Sequence, residues 1–205
     1  MKLLYDLGAH WGESIKAFRK KLENPKEWDV ISVEASTLNV DKLAENASYE
    51  ANYFNEITIF NAFVYHEEKE IEFFEYIDEF HSAGSTYSKT KFDLNSKKKP
   101  EYENLPHNVL KPDIFNIVDS YKENLDKYDE IIIKMDIEGA EYDILPSLMK
   151  VLDPNKTKQF YCELHSRNVG LSPEVDKKIM SELKELGIQV NIEGIDYIPY
   201  VKTTR

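Results

Sequence analysis

Short apolar runs alternate with segments of helical periodicity along most of the chain, and this alternation is the strongest constraint on its fold. Strands separated by helices need crossover connections, which predicts an α/β fold with a mainly parallel sheet and helices on both faces. The predicted strands are residues 2–7, 28–33, 57–65, 70–77, 130–137, 159–164, 189–192 and 197–201, and the predicted helices are 14–22, 38–49, 114–121, 140–151 and 173–186. The partial alternation in 70–77 indicates an antiparallel edge strand.

The length of 205 residues fits a single domain over residues 1–205. Residues 78–108 show no periodicity and are rich in Ser, Thr and Lys, so we predict a long loop inserted in that domain. Loops of this length are either lids that face a substrate or solvated insertions, and the sequence leaves both open.

The composition excludes several classes of function. With 38 acidic against 26 basic side chains, the net charge of -12 disfavours binding to nucleic acid. The only cysteine, Cys162, excludes an intramolecular disulfide and a multi-cysteine metal site. The sequence has no apolar stretch long enough to span a bilayer, and we expect a soluble, cytoplasmic protein. The sequence does not indicate an oligomeric state.

Chemically active side chains follow the ends of predicted strands, where open parallel sheets bind their ligands. These residues are Asp6, Glu34, Asn61, Asp136 and Glu163. Gly8 and Gly12 follow the first strand, where they permit a tight turn and the close approach of a ligand. Their spacing lacks the middle glycine of a dinucleotide fingerprint, which disfavours a nicotinamide enzyme. The carboxylate of Glu34 is suited to accept hydrogen bonds from ribose hydroxyls.

A second cluster of charges follows the most apolar strand. Lys134 interrupts that strand, Asp136 ends it, and Glu138, Gly139 and Glu141 lead into the next helix. A lysine inside an apolar strand requires a partner for its charge. The cluster therefore predicts a site at this edge of the sheet.

In these motifs the sequence resembles the FkbM family of S-adenosylmethionine-dependent methyltransferases. Residues 5–14 resemble its Asp-Ile-Gly-Ala-Asn-x-Gly-x-x-Ser motif, with His10 in place of Asn, and residues 33–36 resemble its acidic ribose motif. Residues 133–141 resemble its Lys-x-Asp-x-Glu-Gly-Ala-Glu motif, and residues 161–165 resemble its later strand end.

The resemblance implies a Rossmann-like class I methyltransferase sheet, S-adenosylmethionine as cofactor, and a sugar, glycan or secondary metabolite as the hydroxyl acceptor. The expected cofactor-binding residues are Asp6, Gly8, Ala9, His10, Gly12, Ser14, Glu34, Ala35, Asn61, Ala62 and Asp136. The expected substrate-binding residues are Glu138, Glu141, Glu163, Ser85 and Thr86.

Methyl transfer to a hydroxyl needs a positioned acceptor and usually a general base. We assign His165, Asp136 and Lys134 to the catalytic group, with His165 or Asp136 as the base. Asp136, Glu163 and His165 also have the chemistry of ligands for a divalent metal, although their spacing does not favour one. A nicotinamide oxidoreductase and a catalytically inactive nucleoside-binding or scaffolding protein are the alternatives.

Overall fold

The computed structural model describes residues 1–77, 82–98 and 105–191. Its strands are β1 (Lys2–Leu7), β2 (Trp28–Glu34), β3 (Glu56–Asn61), β4 (Phe63–Tyr65), β5 (Phe73–Tyr76), β6 (His107–Leu110), β7 (Ile114–Asn116), β8 (Glu130–Met135), β9 (Thr157–Cys162) and β10 (Gln189–Asn191). Its α-helices are α1 (Glu13–Lys21), α2 (Thr37–Glu50), α3 (Lys89–Lys98), α4 (Ile117–Leu125), α5 (Glu141–Leu148) and α6 (Pro173–Glu185).

Six strands form the main sheet in the order β10-β9-β8-β1-β2-β3, and each pairs with its neighbours in parallel. The chain runs outward from β1 to β3 and then resumes at β8 on the other side of β1. The strand order therefore reverses between β1 and β8, which is where such sheets bind ligands. This topology confirms the predicted Rossmann-like α/β fold.

The two faces of the main sheet are covered by different helices. In β1, Leu3, Tyr5 and Leu7 belong to the core shared with α4, α5 and α6, whereas Leu4 belongs to the core shared with α1 and α2. This alternation follows from the two-residue period of a strand. Asp6 is therefore directed to the side of α1 and α2, and the register places Lys134 of β8 opposite it.

The predicted strand 57–65 is wrong as a single element, because the chain changes sheet at Ala62. The amide of Ala62 donates to the carbonyl of Glu34 (3.1 Å), but the amide of Phe63 donates to the carbonyl of Asp113 (2.8 Å). Residues 56–61 thus pair with β2, while β4 pairs with β7 in a separate two-stranded sheet. The predicted helix 114–121 is divided in the same way, into β7 and the start of α4.

The prediction of a long loop over residues 78–108 is also wrong for the part that is described. Residues 82–84 form a 3-10 turn, α3 follows, and β6 pairs antiparallel with β5. Phe92 of α3 stacks on Phe74 and Tyr76 at ring-centroid distances of 4.8 and 5.5 Å. Long-range aromatic packing thus holds a helix whose own sequence has little amphipathic pattern. Residues 78–81 and 99–104 of this prediction, and the predicted strand 197–201, lie outside the described residues.

The antiparallel strand expected at 70–77 is β5, which lies in this small sheet. Within the described ranges, no helix is both long enough and apolar enough to cross a bilayer.

Candidate functional site

The loop after β1 is held by a buried ion pair. The fully buried Asp6 lies with Oδ1 3.4 Å from the ammonium of Lys134, and its Oδ2 accepts a hydrogen bond from Ser14 Oγ. Lys134 also donates to the carbonyl of Gly8 (2.5 Å). These contacts explain why a lysine interrupts an apolar strand. Through them, Lys134 fixes the start of α1 and the glycine loop.

Gly8 brings the backbones of β1 and β8 into contact. Its φ is +73°, and a Cβ at this position would lie 1.7 Å from the carbonyl oxygen of Asp136. The amides of Gly8 and Ala9 donate to the carbonyl of Val33 at 2.9 and 3.0 Å. The close approach of the three central strand ends therefore depends on glycine at position 8.

Glu34 at the end of β2 connects two loops. Its Oε2 accepts from the amide of His10 and its Oε1 from the amide of Ser36, both at 2.8 Å. Burial raises the pKa of Glu34, and these two amides act against that shift. His10 has φ 48°, in the left-handed region that suits the asparagine of the family motif, and its ring stacks on Trp11.

The residues expected at the third strand have different positions. Ala62 lines the cleft described below, as does Ala35. Asn61 does not face the cleft, and its exposed side chain donates to the carbonyls of Glu34 and Ala35 at 2.9 and 3.3 Å. Asn61 thus acts on the expected cofactor site through the backbone of the β2 end.

These elements surround an open cleft of about 1120 Å³ at the carboxyl ends of β1, β2 and β8. Its lining includes Gly8, Ala9, Gly12, Ser14, Glu34 and Ala35, from the glycine loop, the start of α1 and the end of β2. Phe73, Ser82, Ser85, Asp136 and Glu138 also line it. Most of the residues predicted from the sequence thus meet at one cleft.

Glu141 organises the turn between β8 and α5. Although fully buried, its carboxylate accepts from the amides of Ile137 (3.0 Å) and Gly139 (2.9 Å). Its Oε1 also lies 3.0 Å from Nδ1 of His165. With its oxygens engaged inside the protein, Glu141 has no surface for a substrate. We therefore assign it to positioning rather than to the substrate contact expected above.

The arrangement leaves Nε2 of His165 facing three further carboxylates. Its distances to the nearest oxygens of Asp136, Glu138 and Glu163 are 3.8, 3.5 and 3.6 Å. His165 is 6% exposed and lies directly behind Asp136 and Glu138, which line the cleft. A carboxylate on Nδ1 favours the tautomer that carries its proton on Nδ1, which leaves the lone pair of the neutral ring on Nε2, the nitrogen that faces Asp136 and Glu138.

Opposing effects act on the protonation of His165. Burial lowers its pKa, but the hydrogen bond and charge of Glu141, with the charge of Asp136, raise it, against an opposing effect of Lys91. The net result is a pKa above the ordinary value of 6.5.

Two residues of the 82–98 segment lie against this group. Lys91 of α3 is buried and forms an ion pair with Glu138, and Thr86 Oγ1 donates to the carbonyl of Glu138 (2.7 Å). Thr86 is fully buried and does not line the cleft, so its expected substrate contact becomes a structural one. Ser85 lines the cleft and accepts from the amide of Tyr76 (3.1 Å). Sequence reasoning missed the ion pair of Lys91 with Glu138, because Lys91 lies in a segment without periodicity.

The metal alternative has a partial structural basis. The predicted ligands were Asp136, Glu163 and His165, but the ligand atoms that lie within 4.8 Å of one another belong to Asp136, Glu141 and His165. However, Glu141 already accepts two backbone amides, and its contact with Nδ1 engages the histidine as well. A metal bound by these three groups would have to displace those contacts, so the donor set fits a metal poorly.

The model of the FkbM methyltransferase domain family matches residues 6–190 of the chain. The matched region includes the glycine loop, Glu34, the β8–α5 turn and His165. No curated protein and no solved structure matches this chain.

The pairing of Asp6 with Lys134 predicts a large loss of stability when one partner is removed. Lys134→Met should lower the free energy of unfolding by about 3 to 5 kcal/mol, because it leaves a buried carboxylate uncompensated. Denaturant unfolding measures the effect. The double variant Asp6→Asn/Lys134→Met should recover part of this loss. A Lys134→Met protein with wild-type stability would contradict this account of the pair.

Proposed function

The chain belongs to the FkbM methyltransferase family, and we propose that it transfers the methyl group of S-adenosylmethionine to a hydroxyl of a sugar, a glycan or a secondary metabolite. The observation that carries this proposal is the pair of Glu141 and His165, whose Nε2 lies 3.8 and 3.5 Å from the cleft-lining carboxylates of Asp136 and Glu138. A general base held in one tautomer suits the removal of a hydroxyl proton.

We assign to the cofactor the part of the cleft that is lined by the glycine loop, Glu34 and Ala35, which we call the cofactor half. This part has the chemistry that S-adenosylmethionine requires. Glu34 would accept the ribose hydroxyls, since each oxygen of a carboxylate has lone pairs beyond those used by one amide. The loop of Gly8 to Gly12 and Ala35 would enclose the rest, with Asp6 acting from behind the loop. When bound, the cofactor supplies an electrophilic methyl group on a sulfonium centre.

The lining around Phe73, Ser82, Ser85, Asp136 and Glu138, which we call the acceptor half, suits a hydroxyl-rich acceptor. Ser82, Ser85, Asp136 and Glu138 offer short polar groups and carboxylates, and Phe73 adds an aromatic wall. Carboxylates and hydroxyls of this kind accept and donate hydrogen bonds to alcohols. Asp136 Oδ1 is a buried oxygen without a hydrogen-bond partner among the described residues, and it lies 3.8 Å from Nε2 of His165, so Asp136 connects the cleft wall to the proposed base.

In the proposed reaction, Asp136 would orient the acceptor hydroxyl and Nε2 of His165 would take its proton. Bound S-adenosylmethionine would supply the methyl group to the hydroxyl oxygen, with cleavage of its C–S bond and release of S-adenosylhomocysteine. Glu141 stabilises the imidazolium that forms, as the carboxylate of a catalytic triad does. Lys134 lines the cleft and holds the glycine loop, and Lys91 keeps Glu138 paired. His165 is the proposed base, and Asp136 is the alternative.

The alternatives of a nicotinamide oxidoreductase and an inactive nucleoside-binding protein differ in what they bind and turn over. We expect S-adenosylmethionine and S-adenosylhomocysteine to raise the melting temperature and NAD to have no effect. Stabilisation by NAD alone would contradict the proposal.

A metal-dependent reaction would be lost with EDTA and restored by Mg²⁺ or Mn²⁺, whereas EDTA should not change the rate of the proposed base mechanism.

The role of Glu34 predicts a specific loss of cofactor affinity. Glu34→Ala should weaken binding of S-adenosylmethionine by about 1.5 to 3 kcal/mol, because hydrogen bonds to a charged group are lost. Isothermal titration calorimetry measures the effect. Glu27→Ala removes the same charge from an exposed position before β2 and should bind as the wild type does. Equal affinity in a folded Glu34→Ala protein would remove Glu34 from the site.

The role of His165 predicts a loss of turnover without a loss of cofactor binding. His165→Gln should lower kcat by roughly 10² to 10⁴. Neutral imidazole is the active form, so the wild-type rate should rise with pH through a pKa above 6.5, and the variant should lack this limb. The matched control is His107→Gln, at an exposed histidine of β6.

Wild-type turnover in His165→Gln would exclude His165 as the base and leave Asp136 or positioning alone. Adding Asp136→Asn to the His165→Gln variant distinguishes the two possibilities. Turnover should be lost if Asp136 is the base, and it should persist if catalysis depends on positioning alone.

A further inference from the structure

A further buried carboxylate, Glu75 of β5, caps the start of α2. Glu75 has no exposed surface, and its Oε1 accepts from Ser36 Oγ (2.9 Å), from the amide of Thr37 (2.8 Å) and from Thr37 Oγ1 (3.1 Å). Its Oε2 accepts from the side-chain amide of Asn108 in β6 (3.1 Å). One side chain thus connects the small sheet of β5 and β6 to a helix on the main sheet.

The first turn of α2 depends on Glu75 for its cap. Ser36 occupies the N-cap position, but its side chain makes no capping hydrogen bond to the helix. The free amides at a helix start need an acceptor, and a carboxylate there also interacts favourably with the helix dipole. Glu75 supplies both from another part of the fold.

The capped turn also holds Glu34. The amide of Ser36 donates to Glu34 Oε1 at 2.8 Å, while the hydroxyl of the same residue donates to Glu75. Glu34 in turn accepts the amide of His10 in the glycine loop. A continuous set of hydrogen bonds therefore runs from β5 through Ser36 to Glu34 and the loop.

Glu75 also lies close to the acceptor half of the cleft. Phe73, two residues earlier in β5, lines the cleft, and the amide of the next residue, Tyr76, donates to cleft-lining Ser85. The strand that carries Glu75 thus contributes to the acceptor wall, while its carboxylate holds the ribose side.

We propose that Glu75 is a positioning residue that holds the start of α2, and with it Glu34, in the geometry that binds the cofactor, and that it thereby links the β5–β6 sheet to cofactor affinity. This inference rests on the proposed binding of S-adenosylmethionine. Without Glu75, the amides of Thr37 and Leu38 lack their acceptor and the turn is ordered in only a fraction of molecules. Cofactor affinity then falls to that fraction of the wild-type affinity.

The test measures binding of S-adenosylhomocysteine by calorimetry in Glu75→Ala, Glu75→Gln and Asp29→Ala. Glu75→Ala should weaken binding by about tenfold, within the range expected for loss of a helix cap. Glu75→Gln keeps an acceptor oxygen and should bind within about threefold of the wild type. Asp29 accepts from Asn55 and Tyr128 at the opposite end of β2, so Asp29→Ala loses stability without losing affinity.

Three outcomes separate this inference from its premise. If the wild type does not bind S-adenosylhomocysteine, the proposed function fails. If the wild type binds and Glu34→Ala binds weakly, but Glu75→Ala binds normally, only the inference on Glu75 is overturned. An equal loss of affinity in Asp29→Ala would also overturn it, because the effect would then follow from general destabilisation.

Hydrogen exchange of the wild type supplies the same test if Glu75→Ala does not fold. S-adenosylhomocysteine should slow exchange at the amides of Thr37 and Leu38 and also in β5 and β6, to which Glu75 links the start of α2. Protection confined to α2 and the glycine loop would overturn the proposed link.

Discussion

The site depends on carboxylates that are buried at the carboxyl ends of the strands, each of which needs a partner inside the protein. Asp6 is paired with Lys134, Glu34 accepts two backbone amides, Glu75 caps α2, and Glu141 accepts two amides of its own turn. Burial of an unpaired charge costs several kcal/mol, so these contacts determine the shape of the loops that carry them. The carboxylates thus build the cleft before any ligand binds.

The need to pair buried carboxylates also explains how His165 is held beside the cleft. Glu141 uses its oxygens on the turn and on Nδ1 of His165, which directs Nε2 towards Asp136 and Glu138. Lys91 balances part of the negative charge from the other side. A histidine in this environment has a raised pKa and a defined tautomer, which suits a base for a hydroxyl acceptor.

The sequence predicted the main sheet and the residues at its strand ends because both follow from local patterns of two and 3.6 residues. It did not predict that the chain changes sheet at Ala62, since the apolar pattern continues while the hydrogen-bonding partner changes. It also did not predict the ion pair of Lys91 or the capping role of Glu75. Lys91 pairs with Glu138, 47 positions later in the chain, and Glu75 accepts from Thr37, 38 positions earlier. No local sequence pattern encodes such contacts.

The most direct test of this account is the ¹⁵N NMR titration of His165 in the wild type and in Glu141→Gln. We expect a neutral ring protonated at Nδ1, with a pKa above 6.5 in the wild type and a lower pKa in the variant. A neutral ring protonated at Nε2, or a pKa that does not change when Glu141 loses its charge, would contradict the central claim that Glu141 holds His165 as the base.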